Sequence, residues 1–186
     1  MYTISVKRIT PLVLLVLFLL PLTVQAEINC STLPRWVTLH NGLQINQQHI
    51  FCGEWRKDRP KGFHSRPNGL NPSTIAYFTI QDSPNAAGVY TGRWSYQHRL
   101  NKNKFSSMFP DHCSIEQVLN SISYASAYSS PHCPSGSPDW LTCGQNKPPI
   151  TEENSIQFCS INNQSFTIAF ARLKDGRINT AFPIYD

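Results

Sequence analysis

His49 and His64 stand fifteen positions apart in "HIFCGEWRKDRPKGFHSRP", and Arg56, Lys57, Arg59, Lys61 and Arg66 lie between or just after them. Imidazole is the side chain whose proton comes and goes near neutral pH, so two of them can take a proton at one atom and deliver one nearby. Joined by a cation that steadies charge gathering on phosphate oxygens, such a pair suits cleavage of RNA by its own 2'-hydroxyl. One histidine takes the hydroxyl proton, the other protonates the departing 5'-oxygen, and no metal is needed. Gly62-Phe63 before His64 and Ser65-Arg66-Pro67 after it form a turn-rich context that predicts a loop histidine open to a ligand. Plainer readings stand beside this one. A lone histidine such as His49 is commonly a hydrogen-bonded structural group, and the basic run could be a solvated loop.

The cation that acts on phosphate has to come from elsewhere in the fold. Forty residues after His64 comes "NKNKFSSMFPDHCSIEQVL", with Lys104 ahead of a helix start and Lys102 as the alternative ligand. His40, His98, His112 and His132 have no motif around them and are assigned no chemistry. His112-Cys113 and His132-Cys133 superficially suggest zinc, but the sequence has neither C-x-x-C nor H-x-x-x-H, and an exported chain favours disulfides over thiolate ligands. No metal and no cofactor are expected.

The elements that must position these residues are unevenly legible. "SIEQVLNSISYASA" predicts a helix with Ser114 as N-cap and Gln117 three residues on, setting Ile115, Val118, Leu119 and Ile122 on one face to pack against a sheet. Strand patterns cover Thr74 to Ile80, Gly88 to Tyr96, Ser155 to Ile161 and Ser165 to Leu173. Asp175-Gly176 then turns the chain into "RINTAFPIY". The segment from Tyr128 to Pro149 holds five prolines and little periodicity and reads as a long surface loop stapled by cysteine, a structural insertion without chemistry.

The start of the chain defines its compartment. Residues 1–26 combine Lys7 and Arg8, an apolar run from Pro11 to Leu22 and a Val24-Gln25-Ala26 ending, which predicts a cleaved signal peptide. The run is short for a bilayer and nothing as hydrophobic follows, so no membrane span is expected and the mature chain should be secreted or periplasmic. Loss of Lys7 and Arg8 takes the formal charge from +5 to +3, which does not by itself imply nucleic acid; the clustering of cations around the histidines carries that argument. Residues 27–186 fit one domain. Cys30, Cys52, Cys113, Cys133, Cys143 and Cys159 are six cysteines in a chain bound for an oxidising compartment, which predicts three disulfides. Fifteen pairings are open, with Cys133 to Cys143 the first expectation because that stretch reads as a loop a local bridge would close.

"HIFCGEWRKDRPKGFHS", "KFSSMFPD" followed by "SIEQVL", and the terminal "NTAFPIY" occur in an order and at separations that resemble bacterial EndoU-type endoribonucleases, over about residues 44 to 186. The resemblance implies that His49 and His64 are the catalytic pair and that Lys104 completes a triad. It makes Ser65, Arg66, Ser106, Ser107, Thr180 and Phe182 candidate substrate contacts, the last two from the family's T-x-Y motif. Ser107 stands where threonine is usual and keeps a hydroxyl; Phe182 replaces the tyrosine and loses one. Without the resemblance, Thr180 and Phe182 would be read as alternating strand residues, with Phe182 in the core.

The fold it implies is a small α+β domain of antiparallel sheets and packed helices with its site in the groove between them, an architecture shared with barnase-like ribonuclease toxins. The activity it implies is metal-independent cleavage of RNA, single-stranded or in a tRNA loop, to 2',3'-cyclic phosphate ends. An inhibitor or immunity protein is left open as a further partner. The runner-up is a secreted, disulfide-stabilised binding protein with the same fold and little turnover, favoured only by the change at Phe182.

Overall fold

Short apolar runs separated by turn residues divide the chain into strands too brief to be stable alone, so each must find a neighbour. The computed structural model describes residues 27–130, 133–149 and 156–186. In chain order these hold β1 (Trp36–Thr38), β2 (Gln44–Asn46), α1 (Gln47–Phe51), β3 (Glu54–Trp55), β4 (Pro60–Lys61), β5 (Ile75–Ile80), β6 (Tyr90–Tyr96), β7 (Asn103–Met108), α2 (Ile115–Ala127), β8 (Thr142–Gln145), β9 (Thr167–Arg172) and β10 (Ile178–Pro183). The domain is α+β: a five-stranded sheet in the order β1-β2-β10-β9-β8, a three-stranded meander β5-β6-β7 and the small hairpin β3-β4. Pairing is antiparallel throughout except where β10 meets β2 in parallel at Ile178 and Ile45.

The helix α2 forms where its caps place it. The Gln117 amide donates to the Ser114 hydroxyl and the Ser114 amide to the Gln117 side chain, a reciprocal box that satisfies two otherwise orphaned donors. Val118, Leu119, Ile122 and Ala125 are buried against the five-stranded sheet with Ile45, Phe109, Phe166, Ile168, Phe170 and Ile178. Gly144 on β8 lets the helix come close, since a Cβ there would lie 2.2 Å from the Ala125 carbonyl oxygen. A second core of Phe63, Ile75, Tyr90, Trp94 and Met108 sits under the meander. Phe63 meets Trp94 edge to face at 5.3 Å.

The three disulfides are Cys30–Cys52, Cys113–Cys159 and Cys133–Cys143. The local Cys133–Cys143 bridge is the one the sequence predicts. Cys30–Cys52 ties the N-terminal segment to the end of α1, and Cys113–Cys159 fastens residue 159 beside the start of α2. Closure of loops this size contributes about 2 to 4 kcal/mol each. The cysteines of the two His-Cys pairs are thus bridged, and among the described residues no group of three His, Cys, Asp or Glu side chains is placed to hold a metal ion.

Several elements differ from the sequence reading. Residue 155 and the predicted signal peptide (residues 1–26) lie outside the described residues, and residues 156–161 form no strand. Their backbone is taken by the helix side: the Gln117 and Asn120 side-chain amides donate to the Ile156 and Gln157 carbonyls, and the Cys159 backbone N–H donates to the Ser121 hydroxyl. The stretch from Tyr128 to Pro149 is not loop throughout, because Thr142–Gln145 pairs with β9 as an edge strand. His49, for which the sequence offers no clear element, is on the short helix α1.

Candidate active site

Asn46 ends β2 and starts α1, its side-chain oxygen accepting from the His49 amide. A five-residue helix leaves its last carbonyls unpaired, and the returning chain supplies the donors. Phe63 N–H reaches the His49 carbonyl at 2.7 Å, His64 N–H the Ile50 carbonyl at 2.7 Å, and Ser65 N–H also donates to Ile50. The two histidines are therefore brought together by backbone pairing on one helix end. Their ring centroids are 6.4 Å apart, tilted by 31°.

This return is possible because Gly62 has φ +72° and no side chain. A Cβ on Gly62 would lie 2.0 Å from the His49 carbonyl oxygen. Phe63, also in the left-handed region with φ 56°, turns its ring into the meander core while His64 points the other way along the chain into the groove.

The groove holds about 760 Å³ and runs between β4 and β7 on one side and β9 and β10 on the other. His49, His64 and Lys104 all line it, although the histidines are only 7% and 5% exposed. Each imidazole is fixed by its Nδ1. His49 Nδ1 is 2.6 Å from a Glu54 carboxylate oxygen, and His64 Nδ1 is 3.1 Å from the Ser107 carbonyl. Both partners are acceptors, so each Nδ1 carries hydrogen and the chemistry of both rings falls to Nε2. The hydrogen bond from His49 is the main cause that holds the Glu54 carboxyl below its ordinary range.

His64 is pushed well below its ordinary pKa, chiefly by burial and further by the positive charges of Lys104 and His49. It is thus a neutral base at neutral pH. Lys104 on β7 donates to the Ser106 hydroxyl at 2.7 Å and the Phe105 carbonyl at 3.1 Å, and its ammonium lies 6.0 Å from the Trp94 ring centroid. Burial lowers its pKa to about 7. Ser106 is a buried junction, accepting also from Trp94 Nε1 and donating to the Gly62 carbonyl, so one hydroxyl ties the lysine to the turn that carries His64. Lys102 does not reach the groove: it is spent on the Asp58 carboxylate and carbonyl.

The other predicted contacts divide. Thr180, Phe182, Ser106 and Ser107 line the groove, whereas Ser65 and Arg66 do not. Ser65 is fully buried. Arg66 donates to the Tyr90 hydroxyl and to Asp111, with its guanidinium 4.5 Å over Phe78, and so braces the meander. Phe182 is neither a plain core residue nor a free platform. A bulge at β10 between Ile178 and Thr180 buries Ile178 and Ala181 and leaves Thr180 and Phe182 half-buried on the groove. The Phe182 ring stacks on His64 at 5.1 Å and 26°.

This stacking gives an expected result for Phe182→Ala. Water reaches His64, its pKa moves up toward the ordinary histidine value, and the acid limb of the rate profile follows with a loss of roughly tenfold at low pH, while Phe182→Tyr retains the stack. A pH–rate profile of the two variants checks this. An alanine variant with an unmoved acid limb contradicts it.

Glu54, Trp140, Arg172 and Asn179 also line the groove and were not singled out by sequence. Glu54 lies five residues after His49, a spacing with a signal only once α1 is known to end between them. Trp140 is 62% exposed on the loop closed by Cys133–Cys143, so that insertion reaches the site. Among the described residues, Glu54 is the one acidic side chain lining the groove, against Arg56, Arg59, Lys61, Lys104 and Arg172. A second cavity of about 750 Å³ runs along α2, with His40, Glu116 and Tyr124 in its wall, and among the described residues it offers neither a histidine pair nor a lysine.

Residues 43–185 match the family described as Bacterial EndoU nuclease. No curated protein and no solved structure matches the chain.

Proposed function

Because this chain belongs to the bacterial EndoU nuclease family, we propose that it is an endoribonuclease whose groove cleaves RNA by transesterification. The observation that carries this reading is the pair of imidazoles fixed 6.4 Å apart by different acceptors in one cationic groove. Neutral His64 takes the proton of a 2'-hydroxyl at Nε2. The freed oxygen bonds to the adjacent phosphorus, and the bond from phosphorus to the 5'-oxygen breaks. His49 delivers a proton to that leaving oxygen, the Glu54 carboxylate compensating the positive charge on its ring. Lys104 offsets the charge that grows on the non-bridging oxygens. The products are a 2',3'-cyclic phosphate and a 5'-hydroxyl. The substrate class is RNA in single strands or a tRNA loop, because bases held by stacking must be unpaired. Loss of the phenol at position 182 favours a weaker second reading, an RNA-binding protein with the same groove and little turnover.

Residues 1–26 are proposed to be a signal peptide that directs the domain to the periplasm or the exterior. Three disulfides suit that destination, and among the described residues no helix is long and apolar enough to cross a membrane. Export keeps an RNA-cleaving groove away from the producing cell's own RNA.

The pH dependence tests the roles. For free enzyme, kcat/KM rises as His64 loses its proton, well below pH 6.5, and falls as Lys104 loses its own above about 7. The acid His49 must also hold its proton, so the alkaline limb carries two losses. Arginine stays charged throughout, so Lys104→Arg should remove one of them and make the limb shallower, even if its peak rate is lower. An alkaline limb of unchanged steepness would remove Lys104 from charge stabilisation.

A further inference from the structure

Beside the catalytic groove lies a second one of about 400 Å³, and the two share Glu54, Arg56, Leu173 and Asn179 in their walls. The second is completed by Arg35, Trp36, Trp55 and Arg177. It combines cations with flat aromatic surface. The Arg177 guanidinium lies 4.2 Å over the Trp36 ring and that of Arg35 at 5.9 Å, while Trp55 has Arg99 at 5.5 Å and Tyr96 at 6.3 Å. Among the described residues, only part of this charge is neutralised. Arg177 is paired with Asp175 at 2.7 Å, and Arg35 approaches Glu54 at 3.9 Å, but that carboxylate already holds His49. Arg56 is exposed at the junction of the two grooves.

Alternating guanidinium groups and indoles are what a single-stranded nucleic acid uses, phosphates on the cations and bases on the rings. The position of the groove gives it a polarity. It adjoins Glu54 and hence His49, the residue that protonates the departing 5'-oxygen, and it shares no wall with His64, Thr180 or Phe182. The chain that carries the leaving oxygen is the one on the 3' side of the scissile phosphate.

We propose that the groove between Trp36 and Trp55 is a second RNA subsite, which holds nucleotides on the 3' side of the cleavage point. The inference rests on the RNA-cleaving reading and on His49 as the acid. It makes this protein an enzyme for RNA strands that continue past the cut, with affinity set partly by contacts away from the reacting atoms.

The test compares three RNA oligonucleotides with the same scissile dinucleotide: the dinucleotide alone, one extended by three nucleotides on the 3' side, and one extended equally on the 5' side. The wild-type protein should use the 3'-extended substrate with a KM about tenfold lower than the 5'-extended one. Trp36→Ala, and independently Arg177→Gln, should abolish that preference while leaving kcat/KM for the dinucleotide unchanged. In parallel, fluorescence anisotropy with a non-cleavable 2'-O-methyl copy of the 3'-extended strand should show binding weakened about tenfold by either variant. Equal use of the two extended strands by the wild type, or a preference that survives both variants, overturns the subsite. If no RNA is cleaved yet the 2'-O-methyl strand binds in a Trp36-dependent way, the groove holds RNA but its assignment to the 3' side falls with the catalytic reading. A protein that binds an acidic peptide but not the 2'-O-methyl strand overturns the subsite.

Discussion

His64→Ala should lower RNA cleavage by at least roughly a hundredfold with the fold intact, and His49→Ala and Lys104→Ala should each do the same, since loss of a general acid, base or charge stabiliser removes a factor of about 10² to 10⁴. The three arrive in the groove from α1, from the chain after β4 and from β7, so no shared local distortion would explain three equal losses. Their effects should not add, because a proton taken without one delivered completes no turnover. Lys104→Met carries a second readout. An ammonium held in a site that lowers its pKa to about 7 is stabilised poorly there, so replacing it with an apolar side chain of similar length should raise the melting temperature while activity falls. A well-folded His64→Ala protein with near wild-type turnover would remove the base from the mechanism.

Gly62→Ala should cost nearly as much in activity although it removes no reacting group. The added Cβ meets the His49 carbonyl oxygen at 2.0 Å and the carbonyl carbon and ring Cδ2 of His49 at 2.9 Å, and a backbone obstacle cannot rotate aside. The return segment must move off α1, loosening the bonds from Phe63 and His64 to the His49 and Ile50 carbonyls and parting the imidazoles. A displacement of about 1 Å between acid and base is enough for a loss of roughly a hundredfold. Strain at the left-handed φ and the overpacking together cost about 2 to 5 kcal/mol of stability. Gly176→Ala is the control. Its φ is +87°, but nothing lies within 4 Å of the new Cβ, so it should show the backbone strain, about 1 to 2 kcal/mol, and normal activity. Thermal melts and initial rates on the two variants separate the effects; equal activity losses in both would show that backbone strain alone, and not the His49 contact, is responsible.

The parts of this molecule legible in the sequence are those encoded locally. The cap residues Ser114 and Gln117 and the apolar spacing of Val118, Leu119 and Ile122 define α2 with no help from the rest of the chain, and the Asp175-Gly176 turn joins β9 to β10 in the same way. The elements that hold His49 have no such signal. With three residues in β2 and five in α1, neither shows a period, and both exist because β10 and the returning residues 63–65 pair with them. The alternation of Ile156 and Phe158 imitates a strand, yet Gln117 and Asn120 capture the carbonyls a strand would need. Among the residues lining the groove, His49, His64 and Lys104 were legible as candidates because residue type and order carry them. Glu54 and Trp140 were not, because their roles depend on where a helix ends and where a disulfide loop lies. Arg66 shows the converse: a cation in a basic segment is drawn from the groove by Tyr90 and Asp111.

The central claim is transesterification through the 2'-hydroxyl, and the most direct measurement is mass spectrometry of the products formed by the oxidised protein, in excess chelator, from an RNA oligonucleotide and from its counterpart with 2'-deoxyribose at every position. The account predicts that only the RNA is cut and that the new ends are a 2',3'-cyclic phosphate and a 5'-hydroxyl. Cleavage of the deoxy strand, or new 5'-phosphate ends on the RNA, would contradict it.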